Sequence, residues 1–582
     1  MKGEKRIFTE TRSDQIFFRL LVFFVVLVSS SFLPLQNGYA DVAEVLHPSF
    51  INPAEQLEKE EQQKKVQADL SQIPMRVKTP EAKGMRFKPF KGCLWIDLIN
   101  ITGNKSLRSL LNKKKNEYIT PCLNRCVNAQ ELNDLLVKLN AFLFEKGYVT
   151  TRLEIEKYDK KTKELIIKIQ EGRIEKIVTT AVNRYTIFPG LTSKELRIQD
   201  LDQGLAQLNR LPSQYSITTL WPGEEIGGTV VKVDTKKISK PYSFYLFFDN
   251  TGYKRTGQNM LKGNFVYDNL LSLNDQLSLA GSKSGSGRGR SAATTWKEEV
   301  PFGYYTLAYS GSYSDSQFDI YPEVRETELA SNSLKNKLNL ARTVYRSLNH
   351  YVSLGASFWH YIPHLEIAGN YRLRNVEQKL SIVEISAHYN YYYSTFRIIN
   401  ELNYAQGINL FGATMDLRHS HAQFRRYKII SDYLWMIADR IHLNGNIQFQ
   451  YAEQGLPGIV KLPVLDEVGG VRGVRTSSLT LDDGIVLRHD LVFPIFLNSI
   501  FKNKNIKEII VSPFLHGDIG WARDKGVEKN FQRYGAIGGG IKLNCCGFNA
   551  QGTISKLIDK PKDAEIKKEG WVVLFEFSQK IL

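Results

Sequence analysis

Few residues in this chain are spaced for chemistry on a small molecule. There is no G-x-S-x-G elbow to present a nucleophilic serine, no H-E-x-x-H to hold zinc and no P-loop to cradle a phosphate. One run, Gly281-Ser282-Lys283-Ser284-Gly285-Ser286-Gly287-Arg288-Gly289-Arg290, has the composition of an anion cradle. It follows a strand but opens no helix, so it reads as a flexible loop. Cys122 and Cys126 are separated as metal ligands can be, but no histidine or second cysteine pair nearby completes a tetrahedral set. With Cys93 they form a cluster of three in a short stretch, which favours a structural disulfide from Cys93 to Cys122 or Cys126. Cys545 and Cys546 are adjacent; a bond between them would be strained, and they are expected not to pair with each other. The sequence thus predicts no catalytic residue, no metal and no cofactor.

A disulfide needs an oxidising compartment, and the N-terminus supplies the route to one. Lys2, Lys5, Arg6, Arg12 and Arg19 flank the apolar run Leu20 to Val28, which loosens through Ser29-Ser30-Ser31 and reaches Gly38-Tyr39-Ala40. This is the pattern of a signal peptide, residues 1–40, cut after Ala40. The run falls short of the roughly 20 apolar residues a spanning helix needs, and no later segment reaches that length. Membrane residence after export therefore cannot be helical. The formal net charge is +17. Such a balance suits nucleic acid, anionic lipid or an acidic partner. No finger spacing, helix-turn-helix signal or RNP aromatic pattern accompanies it, so nucleic acid is excluded.

The elements that follow fall into three textures. Residues 41–88 hold a polar helix and a linker. Asn52 caps, Pro53 suits the first turn, and Ala54 to Leu70 is rich in Glu, Gln and Lys, a composition suited to solvent or to a water-filled cavity. Residues 89–172 and 173–240 read as two small α+β units. In the first, Leu132, Leu135, Leu136, Leu139, Phe142 and Leu143 share one helical face, Gly147 ends that helix, and Tyr148 to Ile155 and Leu165 to Ile169 are strand-like. The second repeats the order, with a helix near Asp200 to Asn209 and a strand at Thr229 to Val233. From residue 241 to 582, helical periodicity gives way to alternation. Ile441, Leu443, Ile447, Phe449 and Tyr451 interleave with His442, Asn444, Asn446, Gln448 and Gln450. One face for lipid and one for a polar lumen is what a transmembrane barrel requires. At roughly twenty residues per strand and connection, this region accommodates about 16 antiparallel strands.

In this order, several short motifs resemble the transporter components of two-partner secretion, the haemolysin-activator and filamentous-haemagglutinin transporter family. Gly147-Tyr148-Val149-Thr150-Thr151-Arg152 resembles its first POTRA domain. Asp200-Leu201-Asp202-Gln203-Gly204-Leu205 and Leu208-Asn209-Arg210-Leu211-Pro212 resemble its second. Pro222-Gly223 with Gly227-Gly228 extends that match. Asp249-Asn250-x-Gly252, Thr256-Gly257 and Leu273-Asn274-Asp275 resemble the start of its barrel. The resemblance implies tandem POTRA domains that recognise a large secreted exoprotein, with Gly147, Tyr148, Thr150, Arg152, Gln203, Asn209 and Arg210 as candidate partner-binding positions. It implies export through an outer-membrane barrel in contact with lipid, inserted by the barrel-assembly machinery, and an N-terminal helix that plugs the pore. The rival readings are a barrel-assembly insertase of the wider POTRA-barrel superfamily and an outer-membrane enzyme.

Gly469-Gly470-Val471-Arg472-Gly473-Val474 resembles the tip of the family's sixth surface loop, and Phe514 through Asp518-Ile519-Gly520 the strand that receives it. The resemblance implies a loop folded into the lumen, anchored by Arg472 on Asp518, with Val471, Gly473 and Gly520 shaping the seat. Four features depart from the pattern. The pair Gly469-Gly470 abuts Val471 directly, where the family commonly has residues between. Val474 replaces an aromatic residue. His516 replaces Phe and, by strand parity, shares the lumen face with Asp518. The chain also ends without the terminal aromatic that such barrels commonly carry.

Overall fold

The computed structural model describes residues 53–71 and 92–581, apart from 181, 255, 286–288, 321–326, 348, 370, 418, 476–477, 498–508, 526–529, 546 and 562–568. The signal peptide and most of the linker lie outside the described residues.

Residues 92–172 form an α+β unit. Leu98–Thr102 runs parallel to Glu164–Gln170, which pairs antiparallel with Arg152–Asp159. The helices Lys105–Asn112 and Ala129–Glu145 supply the core side chains. The longer helix begins where Asn128 and Glu131 form a reciprocal capping box: the Glu131 backbone N–H donates to Asn128 Oδ1 at 2.9 Å, and the Asn128 N–H to Glu131 Oε2 at 2.8 Å. Its apolar face is the one the periodicity picks out, with Leu132, Leu135, Leu136, Leu139, Phe142 and Leu143 all buried. A two-stranded ribbon, Cys93–Ile96 with Arg125–Asn128, was not expected from the sequence; it is tied by the disulfide Cys93–Cys126, Cα atoms 5.4 Å apart. Cys122, the other alternative, is a buried thiol. The strand expected from Tyr148 starts later, at Arg152, because residues 147–151 build the joint to the next unit.

That unit has Arg173–Thr179 parallel to Gly228–Lys237, and Gln214–Pro222 antiparallel on the outer edge. The helix Ile198–Asn209 packs Leu201, Leu205 and Leu208 onto it.

The remaining chain closes into a barrel of 16 strands. Strands run from eight residues (Tyr242–Asp249) to twenty (Thr327–Arg346). Side chains alternate as the sequence predicts. On Ile509–Arg523, Phe514, His516, Asp518 and Ala522 are buried, whereas Leu515, Ile519 and Trp521 are exposed on the outer face. On Ile441–Ala452, Gln448 and Gln450 point inward and Phe449 and Tyr451 outward. The closing seam is short. Tyr242–Asp249 and Val572–Lys580 share five register pairs, Glu576↔Asp249 to Lys580↔Tyr245, against sixteen between Tyr305–Ile320 and Thr327–Arg346. Beyond them the Asn250 side chain imitates a peptide group: its Nδ2 donates to Val573 O at 3.1 Å, and its Oδ1 accepts from the Phe575 N–H at 2.8 Å.

Candidate functional site: an occupied barrel lumen

Among the described residues, two elements fill the lumen. The first is the helix Pro53–Ser71. It is too polar to bury an apolar face, and the lumen meets it with charge instead. Glu60 pairs with Lys262 (2.7 Å), which also reaches Asp249 (2.9 Å). Glu58 pairs with Lys335. Glu61 accepts from Asn264 Nδ2 at 3.0 Å and from Thr295 Oγ1 at 3.2 Å. At the helix C-terminus, Arg397 donates to the Leu70 carbonyl. A small apolar contact, Ala54 and Leu57 on Ala280 and Ala293, completes the fit.

The second element is the loop between Ile441–Ala452 and Asp483–Val492. Its strand Leu462–Leu465 pairs with Leu479–Leu481 inside the barrel, and its tip turns at Gly473, φ 96°. A Cβ there would lie 2.8 Å from the Leu557 backbone nitrogen, so glycine is required on both counts. Arg472 is buried and grips Asp518 with both ends of its fork, Nε to Oδ2 and Nη2 to Oδ1, each at 2.7 Å. Its backbone N–H also donates to Asp518 Oδ2 at 3.2 Å. Val471 packs among Val464, Val486 and Tyr534. A Cβ on Gly520 would sit 3.1 Å from Val471 Cγ2, so Gly520 leaves that valine its room.

Sequence reasoning missed two further parts of the anchor. Asp490, on the neighbouring strand, accepts from Arg472 Nη2 at 2.8 Å. Its signal was available, since parity places it opposite His516 in the register. Glu467 accepts the backbone N–H groups of Gly473 (2.7 Å) and Val474 (3.0 Å), holding the reversal from within the loop. Val474 itself is buried with the valine cluster, filling the place expected of an aromatic with a smaller side chain. His516 sits beside Asp518, Nδ1 to Oδ2 3.6 Å, while its Nε2 bonds Ser555 Oγ at 2.9 Å across the intervening strand. It crosses there because Gly538 has no side chain; a Cβ at that position would lie 2.3 Å from His516 Nε2. Helix and loop also touch: Gln63 Nε2 donates to the Val468 carbonyl at 2.6 Å, and Arg488 bonds the same oxygen.

The POTRA motif residues serve joints rather than open surface. Gly147, φ 92°, lies against Gln199, and its carbonyl accepts the Ile198 N–H at 2.9 Å, linking the two units. Thr150 crowds Gly172 in the same joint, Tyr148 lies near Arg197, and Arg152 binds the carbonyls of Val149 and Thr151. In the second unit Gln203 is buried against the barrel floor, donating to the Gly303 carbonyl at 3.1 Å and accepting from Arg346 Nε at 2.8 Å. Arg210 Nη2 donates to the Asn274 carbonyl at 2.9 Å. Tyr304, in a periplasmic turn, donates to Asp200 Oδ1 at 2.5 Å; burial, and then that carboxylate, raise its phenol well above the ordinary range. Asn209 is internal, bonding both the N–H and the carbonyl of Ser216.

A barrel with a charged lumen, a strand-anchored inward loop and two α+β units docked beneath it defines an outer-membrane protein of the POTRA-barrel class. Comparison narrows the class. The pattern of the haemolysin secretion/activation protein ShlB/FhaC/HecB family matches residues 227–544, the ShlB-type POTRA domain residues 95–172 and a further POTRA domain residues 166–220. The outer membrane transporter CdiB of Dickeya dadantii is 28% identical over 63% of this chain and 67% of its own length. The haemolysin transporter protein HpmB of Proteus mirabilis is 26% identical over 75% and 77%. The structure of CdiB from Escherichia coli superposes with a TM-score of 0.78 at 20% identity, covering 91% of this chain and 99% of that one. The chain belongs to the haemolysin secretion/activation family and is a two-partner secretion transporter of the outer membrane, with periplasmic N-terminal domains.

Proposed function

We propose that the pore is closed at rest by the helix Pro53–Ser71 and held in working shape by the Arg472 anchor. The cargo is one large exoprotein of haemolysin or adhesin type, arriving unfolded in the periplasm. An extended segment of it adds to a free POTRA strand edge through main-chain hydrogen bonds, the mode open to any sheet with an unpaired edge. The outer edge Gln214–Pro222 suits this, because Ile217 and Trp221 stand exposed along it. The motif residues from Gly147 to Arg210 fix the pose of that edge relative to the pore. The helix then leaves, the segment enters the lumen, and folding outside the cell makes transport one-way. The outward Leu, Ile, Phe and Trp side chains meet outer-membrane lipid.

The observation carrying this reading is the way the helix is held. Nearly all its contacts are ion pairs and hydrogen bonds to a polar wall, which water can replace when the helix departs. A plug packed by an apolar face would lack that reversibility. The test is deletion of residues 53–71, with conductance in planar bilayers and exoprotein secretion measured together. A deleted barrel that conducts no better than the intact protein would overturn the plug.

A further inference from the structure

Glu299 lies near the periplasmic end of the lumen wall, where three bodies meet. Its Oε1 pairs with Lys297 of its own strand at 2.7 Å. Its Oε2 is shared by two cations from elsewhere, Lys65 of the N-terminal helix at 3.7 Å and Arg210 of the second POTRA domain at 3.5 Å. Neither distance is that of a well-made charge-assisted hydrogen bond, which would bring nitrogen and oxygen to about 2.7–2.9 Å. One carboxylate oxygen is stretched between two suitors.

We propose that Lys65 and Arg210 compete for Glu299, so that the pose of the second POTRA domain sets how firmly the plug helix is held. The proposal rests on the plug reading above. The two cations repel each other and draw on the same oxygen. If Arg210 moves nearer to Glu299, the hold on Lys65 weakens; if it moves away, Lys65 has Oε2 to itself. Arg210 is well placed to report such movement. Its Nη2 donates to the Asn274 carbonyl, in the periplasmic turn that the second POTRA domain rests upon. An exoprotein segment that pulls or presses on this domain therefore alters the grip on the helix without touching it. Arg210 and Glu299 act as positioning residues for export.

The sign of the effect distinguishes competition from simple support. If Arg210 merely braced the assembly, removing it would loosen the plug. Competition predicts the reverse. The full chain is measured in planar bilayers for the fraction of time the pore is open. Lys65→Gln and Glu299→Gln raise that fraction, by up to about fivefold as for a partly exposed ion pair. Arg210→Gln lowers it by a similar factor, Arg210→Lys, which keeps the charge, leaves it near the wild-type value, and Arg210→Gln has no effect once Glu299 is Gln. An increase or no change in Arg210→Gln overturns the competition, as does an effect of equal size in the Glu299→Gln background. Deletion of residues 53–71 serves as the control. If it fails to open the pore, the plug reading falls and this inference with it; if it opens the pore and Arg210→Gln does not close it, only the competition falls.

Discussion

Arg472→Ala removes the centre of the loop anchor, and its cost can be worked from the contacts. The side chain makes two 2.7 Å bonds to Asp518 and one 2.8 Å bond to Asp490. After the substitution Asp490 keeps Lys542 at 3.5 Å, so it is not orphaned. Asp518 is buried and keeps a backbone N–H, the His516 imidazole at 3.6 Å and the nearby charge of Arg488, its register partner. Breaking a buried pair by removing one partner costs about 3–5 kcal/mol, and solvent in the lumen pulls the figure toward the lower end. About 3 kcal/mol is roughly a hundredfold shift away from the seated loop. We expect Arg472→Ala to fold and insert, shown by a heat-modifiable band on electrophoresis, and to lose exoprotein secretion. Asp518→Ala should err in the same direction but less severely, because Arg472 retains Asp490. The exchange Arg472→Asp with Asp518→Arg should recover part of what either single charge reversal loses. If both alanine variants secrete at the wild-type rate, the tip is not held by this pair and the reasoning fails.

Other predictions concern single contacts. Reducing Cys93–Cys126, which spans 33 residues in sequence, should destabilise the first POTRA domain by about 3–4 kcal/mol on a chain-entropy argument, read as a lower melting temperature of a fragment covering residues 92–240; an unchanged value would show that the ribbon holds without the bond. Gly538→Leu should prevent the folded band from forming, since even a Cβ would meet the Ile554 carbonyl at 2.0 Å; a normal band would mean the strand can shift to admit it. Glu467→Ala should free the N–H groups of Gly473 and Val474 and reduce secretion while sparing insertion, with insertion loss as the contrary result.

Much of this architecture is legible in the sequence because its causes are local. Period-two alternation reports a wall between lipid and water, and the leucine face of residues 132–143 reports a helix on a sheet. The anchor was legible at Arg472 and Asp518 only through resemblance, since a lone arginine in a glycine-rich loop has no partner in view. Asp490 and Glu467 were missed for opposite reasons. Asp490 is brought to Arg472 by register across two strands, which no short window contains. Glu467 acts on its own loop, but only after the chain reverses at Gly473. The short ribbon of Cys93–Ile96 was hidden because four residues carry too little periodicity to read. Gln203 and Arg210 looked available to a partner, and it is the docking of one domain on another, invisible in any linear pattern, that occupies them.

The seam between Tyr242–Asp249 and Val572–Lys580 joins segments more than three hundred residues apart. Every other pair of neighbours in the wall is consecutive in sequence, and apart from the strands that flank the long inward loop most can zip from a nearby turn at small entropic cost. The seam has no turn to start from. It must wait until the ends of the sheet meet, which makes it the last ladder to form and, with five pairs, among the first to fray. Asn250 lengthens that ladder twice over, with its own N–H on the Phe575 carbonyl at 3.2 Å and with its side chain on Val573 and Phe575. Arg475, three residues beyond the anchor, holds the Asn250 carbonyl and, through its own N–H, the Glu569 carboxylate just before the last strand. The circular order of the wall is therefore buttressed, at its weakest join, by a surface loop that has itself been drawn inside.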